Sequence, residues 1–100
     1  MEVTMATFIS LVSFTDQGIR NVKESPARFE AFRTMAEKAG ATVKAVYYTV
    51  GTCDMVTILE GPEDVVTAVL LKVGALGNVR SQTMRAFSID EMRAVFGKMD

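Results

Sequence analysis

The sequence predicts an α+β fold: one four-stranded antiparallel sheet, two helices on one of its faces, and a short helix at the C-terminus. Three observations predict it. Val43 to Glu60 holds two runs rich in β-branched and aromatic residues on either side of Gly51-Thr52-Cys53-Asp54, a hairpin signal. Ser25-Pro26 and Gly61-Pro62 each open a stretch with helical character, where a proline costs no hydrogen bond. The signals run strand–helix–strand–strand–helix–strand, which is the split βαβ, ferredoxin-like order (βαββαβ).

Met1 to Thr4 reads as a lead-in, and Met5 to Phe14 as the first strand, from its Phe, Ile and Val content. Phe8, Val12 and Phe14 share one face, and Ile9 and Leu11 share the other. Both faces are apolar, so cover is expected on both. Thr15 to Glu24 is polar and reads as a loop with one helical turn, anchored by Ile19 and Val22. In the first helix Ser25 is a capping residue, and Phe29, Phe32, Ala36 and Ala39 form one apolar stripe with Met35 beside it. Arg28, Glu30, Arg33, Glu37 and Lys38 fill the wet side, and Gly40 ends the helix.

After the bend, Val56 and Ile58 point one way and Met55, Thr57 and Leu59 the other, again with neither face polar. Pro62 is expected at the first position of the second helix, followed by Glu63 and Asp64 at the positive end of its dipole. From Val65 to Leu76 that helix is apolar almost all round, which predicts burial on more than one side. Val79 to Phe87 reads as a more polar last strand. Ser88-Ile89-Asp90-Glu91 is a capping box, so a short helix runs to about Phe96 and is expected to present Met92, Val95 and Phe96 to the body.

Composition narrows the function. One hundred residues fit one domain, 1–100, and 49% of them are hydrophobic, a greasy balance for a chain of this size. A net charge of −1 with no basic cluster argues against nucleic acid as a partner. No stretch approaches the ~18 apolar residues of a membrane span, and Met1 to Phe14 lacks the charged start of a signal peptide. The lone Cys53 allows no internal disulfide and fits a cytoplasmic location. With no histidine, imidazole acid–base chemistry is absent, and neither metal spacing nor a phosphate loop is present, so no cofactor is expected.

The arithmetic of faces points to self-association. Two helices cover one side of a sheet that is apolar on both. Even ~500 Å² of bare apolar sheet, at ~25 cal/mol per Å², represents on the order of 12 kcal/mol before ordering costs. Packing sheet to sheet in a homodimer, or a higher oligomer, is the economical way to cover it.

Several blocks carry a family resemblance: Thr15-Asp16-Gln17-Gly18-Ile19-Arg20-Asn21-Val22, Ser25-Pro26, Gly51-Thr52-Cys53-Asp54 with the run to Asp64, Leu76 to Arg80, and Thr83 to Phe87. Together, over Ala6 to Met92, they resemble the GYD-domain family, small bacterial and archaeal proteins of the dimeric α+β-barrel group. Where the family's Gly-Tyr-Asp signature has tyrosine, this chain has Cys53, so no role of that ring carries over. The wider group includes amino-acid-sensing domains that bind between subunits, and cofactor-free monooxygenases with a pocket between sheet and helices.

The candidate site residues are Asp54, Tyr47, Tyr48, Arg85, Thr83 and Arg80. Asp54 reads as a turn aspartate fixing the hairpin, or as a carboxylate at a pocket mouth. Tyr47 and Tyr48 alternate faces, so one points inward. Arg80 and Arg85 lie on opposite faces of the last strand, and Arg85 shares its face with Thr83 and Ser81 as an anion subsite or an exposed edge. Cys53 lacks any activating neighbour and reads as a small hydrophobe. The resulting expectation is a non-catalytic homo-oligomer binding a small molecule between sheet and helices or at the dimer seam; the alternative is a cofactor-independent monooxygenase- or isomerase-like enzyme.

Overall fold

In a computed structural model that describes residues 5–99, nine segments of regular structure follow one another. They are β1 (Ala6–Phe14), α1 (Asp16–Arg20), a 3-10 turn (Val22–Glu24), α2 (Ser25–Ala39), β2 (Thr42–Tyr48), β3 (Met55–Gly61), α3 (Glu63–Ala75), β4 (Val79–Ala86) and α4 (Ile89–Phe96). The lead-in Met1 to Thr4 lies outside the described residues. The strands form one antiparallel sheet in the order β2-β3-β1-β4, the ferredoxin-like arrangement, with the first and third strands central. In β2 the register shifts between Val43 and Ala45.

Alternation decides which side is core. Ala6, Phe8 and Ser10 of β1 and Met55, Thr57 and Leu59 of β3 are buried, and the register pairs Phe8 with Leu59 and Ser10 with Thr57. Phe32 and Ala36 of α2 and Val66 and Val69 of α3 pack on that side to complete the core. Gly40 ends α2 with φ 104°, a left-handed conformation that suits glycine, and its N–H closes the last turn.

Several local expectations are corrected. Ser25 does not cap α2: the cap position is Glu24, and the Ser25 hydroxyl lies 2.7 Å from the Tyr48 hydroxyl instead. Pro62 stands at the cap of α3, with ψ 142°, one residue ahead of the expected position. Ala39 is exposed although it continues the stripe of α2. The segment after β1 is more ordered than a loop. Thr15 accepts from the Gly18 N–H to start α1, but Ile19 and Val22 are exposed and anchor nothing. What anchors the segment is Gly18, which is buried against the backbone of Asn78, and Arg28, which donates to the carbonyls of Asn21 and Gly18.

Two larger corrections concern apolar surface. In one copy, α3 buries only Val66 and Val69, while Leu71 and Leu76 stay exposed. The capping box on α4 is present in full, Ser88 accepting from Glu91 N–H and Glu91 accepting from Ser88 N–H. Yet α4 does not lie on the body: Ile89, Val95 and Phe96 are all exposed, and only Met92 is half-buried. A local cap can form a helix without a partner, and the molecule is drawn out to 51 Å along its longest axis.

Candidate functional site

The sheet presents two quite different surfaces. On the face away from α2 and α3, Ile9, Leu11, Val56, Ile58 and Met84 form adjoining rows across β1, β3 and β4, because Ile9 pairs with both Ile58 and Met84, and Leu11 pairs with Val56. None of the five is fully buried, and no element of the described chain covers them. The expectation that β1 is covered on both faces therefore fails within one copy. Tyr47 and Arg80 stand on this open face as well, towards its two edges, both exposed.

On the helix side, α2 and α3 leave a cavity of about 240 Å³ between themselves and the sheet. Phe29, Phe32 and Met35 come from α2, Leu70 and Val73 from α3, and Val12, Met55 and Val79 from the strands. Polar groups are few: Ser25, Thr57, Asn78 and Ser81, with Arg28 at the rim. The cavity reaches β4 through Val79 and Ser81, and Ser81, Thr83 and Arg85 on that face of β4 are exposed. It is an apolar chamber with a polar doorstep.

The six residues singled out from the sequence do not converge on this cavity. The Asp54 carboxylate accepts the Phe14 N–H at 2.8 Å, and the Asp54 N–H donates to the Val12 carbonyl at 2.8 Å, so the hairpin loop is stitched to the end of β1. The Thr49 hydroxyl, donating to the Cys53 carbonyl at 2.7 Å, closes the same loop, with the half-buried Cys53 thiol 3.6 Å away. Tyr48 reaches the cavity wall only through Ser25. Thr83 lies 2.6 Å from the buried Ser10 hydroxyl. Arg85 donates to the carbonyls of Thr7 and Ala86 and lies over the rings of Phe87 (4.3 Å) and Phe8 (5.8 Å), with no carboxylate partner among the described residues.

A pocket between sheet and helices is among the expectations, but the sequence does not identify its lining, because its walls are the same residues that make an ordinary core stripe. Phe29, Phe32 and Met35 carry the helical period, and nothing in that period tells a filled core from a hollow one. Among the described residues the perturbed acid does not line the cavity: the hydrogen bond from the Ser88 N–H holds the Glu91 carboxyl below the usual carboxylate range, and Arg85 adds to the effect. Among the described residues, no His, Cys, Asp and Glu side chains cluster as a metal site, and no helix is long and apolar enough to cross a membrane.

A ferredoxin-like sheet with one bare apolar face and an apolar chamber under its helices defines a small protein of the α+β class. The chain belongs to the GYD domain family, whose pattern it matches over residues 8–96. A Thermus thermophilus protein named "Glutamine synthetase and cystathionine beta-lyase binding protein" is 30% identical over 93 residues, which are 90% of this chain and 97% of that one. Among solved structures, an uncharacterized protein from Thermotoga maritima aligns with a TM-score of 0.47 at 18% identity, over 84% of this chain and all of that one.

Proposed function

We propose that this protein is a cytoplasmic, homo-oligomeric binding protein without catalysis of its own. Two copies join through the open sheet face, partner enzymes dock on the assembly, and the apolar cavity takes a small molecule. The observation that carries the reading is the bare patch of Ile9, Leu11, Val56, Ile58 and Met84. Apolar surface of that continuity on a small chain marks an interface. The relative named for binding two enzymes supports protein partners of the same kind.

The monooxygenase- or isomerase-like alternative has less behind it. Asp54, the carboxylate best suited to act as a base, is held by the Phe14 N–H and does not line the cavity.

Light scattering at micromolar concentration tests the assembly. The expected mass is at least twice 10.9 kDa, and Ile58→Asp is expected to return it to a single folded copy. A wild-type chain that stays a folded monomer refutes the assembly. Biolayer interferometry against purified glutamine synthetase and cystathionine beta-lyase tests the partners separately, and no binding to either removes the enzyme-docking part alone.

A further inference from the structure

We infer that the cavity under α2 and α3 selects an uncharged, compact, largely aromatic or alicyclic molecule bearing one hydroxyl or carbonyl oxygen, and that Thr57 is the group that reads that oxygen. The inference rests on the small-molecule part of the function proposed above and deepens it.

The argument is a count of hydrogen-bonding capacity around the chamber. Ser25 already pairs with the Tyr48 hydroxyl at 2.7 Å. Arg28 is turned towards the carbonyls of Asn21 and Gly18, to which it donates at 2.9 and 3.2 Å. The Asn78 side-chain oxygen accepts from Gln17 at 2.9 Å, and Ser81 sits at the exposed mouth. Thr57 differs from all of these. It is only 5% exposed, it lines the cavity, and its hydroxyl has no hydrogen-bond partner among the described residues. Ser10, directly opposite in the sheet, does not help, because its hydroxyl is taken by Thr83 at 2.6 Å.

The only sealed side-chain polar atom without a partner among the described residues is Arg33 Nε, so the Thr57 hydroxyl faces the cavity, where nothing but water or a ligand can pair with it. A ligand oxygen at that point would take up its free hydrogen-bonding capacity. The rest of the wall is mainly apolar, including the rings of Phe29 and Phe32, whose centroids lie 5.9 Å apart. The charged group on the cavity wall, Arg28, is held by the carbonyls of Asn21 and Gly18, and Thr57 is a neutral partner, so a neutral ligand fits the wall best. At about 240 Å³ the chamber falls below the ~300 Å³ of drug-sized pockets and suits roughly ten to twelve heavy atoms.

The test uses three probes of one shape: naphthalene, β-naphthol and β-naphthoate. Their binding is followed by equilibrium dialysis and by naphthyl fluorescence, which is free of interference because the chain has no tryptophan. In the wild type, β-naphthol is expected to bind about tenfold tighter than naphthalene, and β-naphthoate weakest. Thr57→Val keeps the shape and removes the oxygen, and is expected to bind both neutral probes equally while melting no lower than wild type; Thr57→Ser keeps the preference. If naphthalene and β-naphthol bind the wild type equally, the Thr57 anchor is wrong while the cavity reading survives. If β-naphthoate binds best, the neutral-ligand assignment is wrong. If no probe binds, both the inference and the small-molecule reading fall, while the assembly stands or falls by its own measurement.

Discussion

Ile58 and Leu59 are neighbours on one strand, yet they live on opposite sides of the molecule. Leu59 is 1% exposed against the helix layer, whereas Ile58 stays half-covered on the open face. The strand pattern supplies both residues with equal hydrophobicity. What separates them is that the chain carries enough helix to roof one surface only. The first face is satisfied by folding, and the second, on the reading proposed above, by association.

The largest expected effect sharpens that contrast. Leu59→Ala is expected to lower unfolding free energy by about 3 kcal/mol, a transfer loss plus a cavity, read by urea titration at any protein concentration. Ile58→Ala is expected to cost the isolated fold well under ~1 kcal/mol and instead to make the melting temperature fall on dilution. Equal, concentration-independent losses for the two variants would erase the distinction between the faces.

An intermediate effect is expected where the two central strands are tied at their ends. Asp54→Ala removes the acceptor for the Phe14 N–H and is expected to destabilise by about 1.5 kcal/mol without altering naphthyl binding. A loss of probe binding with unchanged stability would instead give Asp54 a ligand role.

The smallest effect concerns α4, most of whose apolar residues stay exposed. The Glu91 carboxyl is held below its ordinary range chiefly by the Ser88 N–H bond. A depressed folded-state pKa stabilises the helix above the unfolded carboxylate range, and that contribution disappears as pH falls through the folded value. Acid titration followed at the Ser88 amide by NMR is expected to show the loss, and Glu91→Gln to flatten it.

The architecture was legible where local chemistry decides structure. Pro26, Gly40, the Gly51 to Asp54 bend and the Ser88–Glu91 box each mark an element boundary by backbone rules that act within a few residues. Failures came where distance in sequence mattered. The partner of the Asp54 carboxylate, Phe14, is forty residues upstream. Ser25 looked like a cap because capping is local, and its bond to Tyr48 is not. The lining of the expected pocket was illegible for a deeper reason: Thr57 stands in the alternation as an ordinary inward residue, and only the positions of α2 and α3 decide whether it meets a side chain or a void.

One contact made without any side chain has a further consequence. A methyl group placed on Gly18 would sit 2.0 Å from the Asn78 carbonyl oxygen, and the Thr15 N–H and hydroxyl bind the carbonyls of Asn78 and Gly77 beside it. The two segments, sixty residues apart along the chain, are thus fastened where their main chains meet, with the Thr15 and Gln17 side chains bridging beside it. An extra residue between Thr15 and Gly18, or between Leu76 and Asn78, would break that fastening.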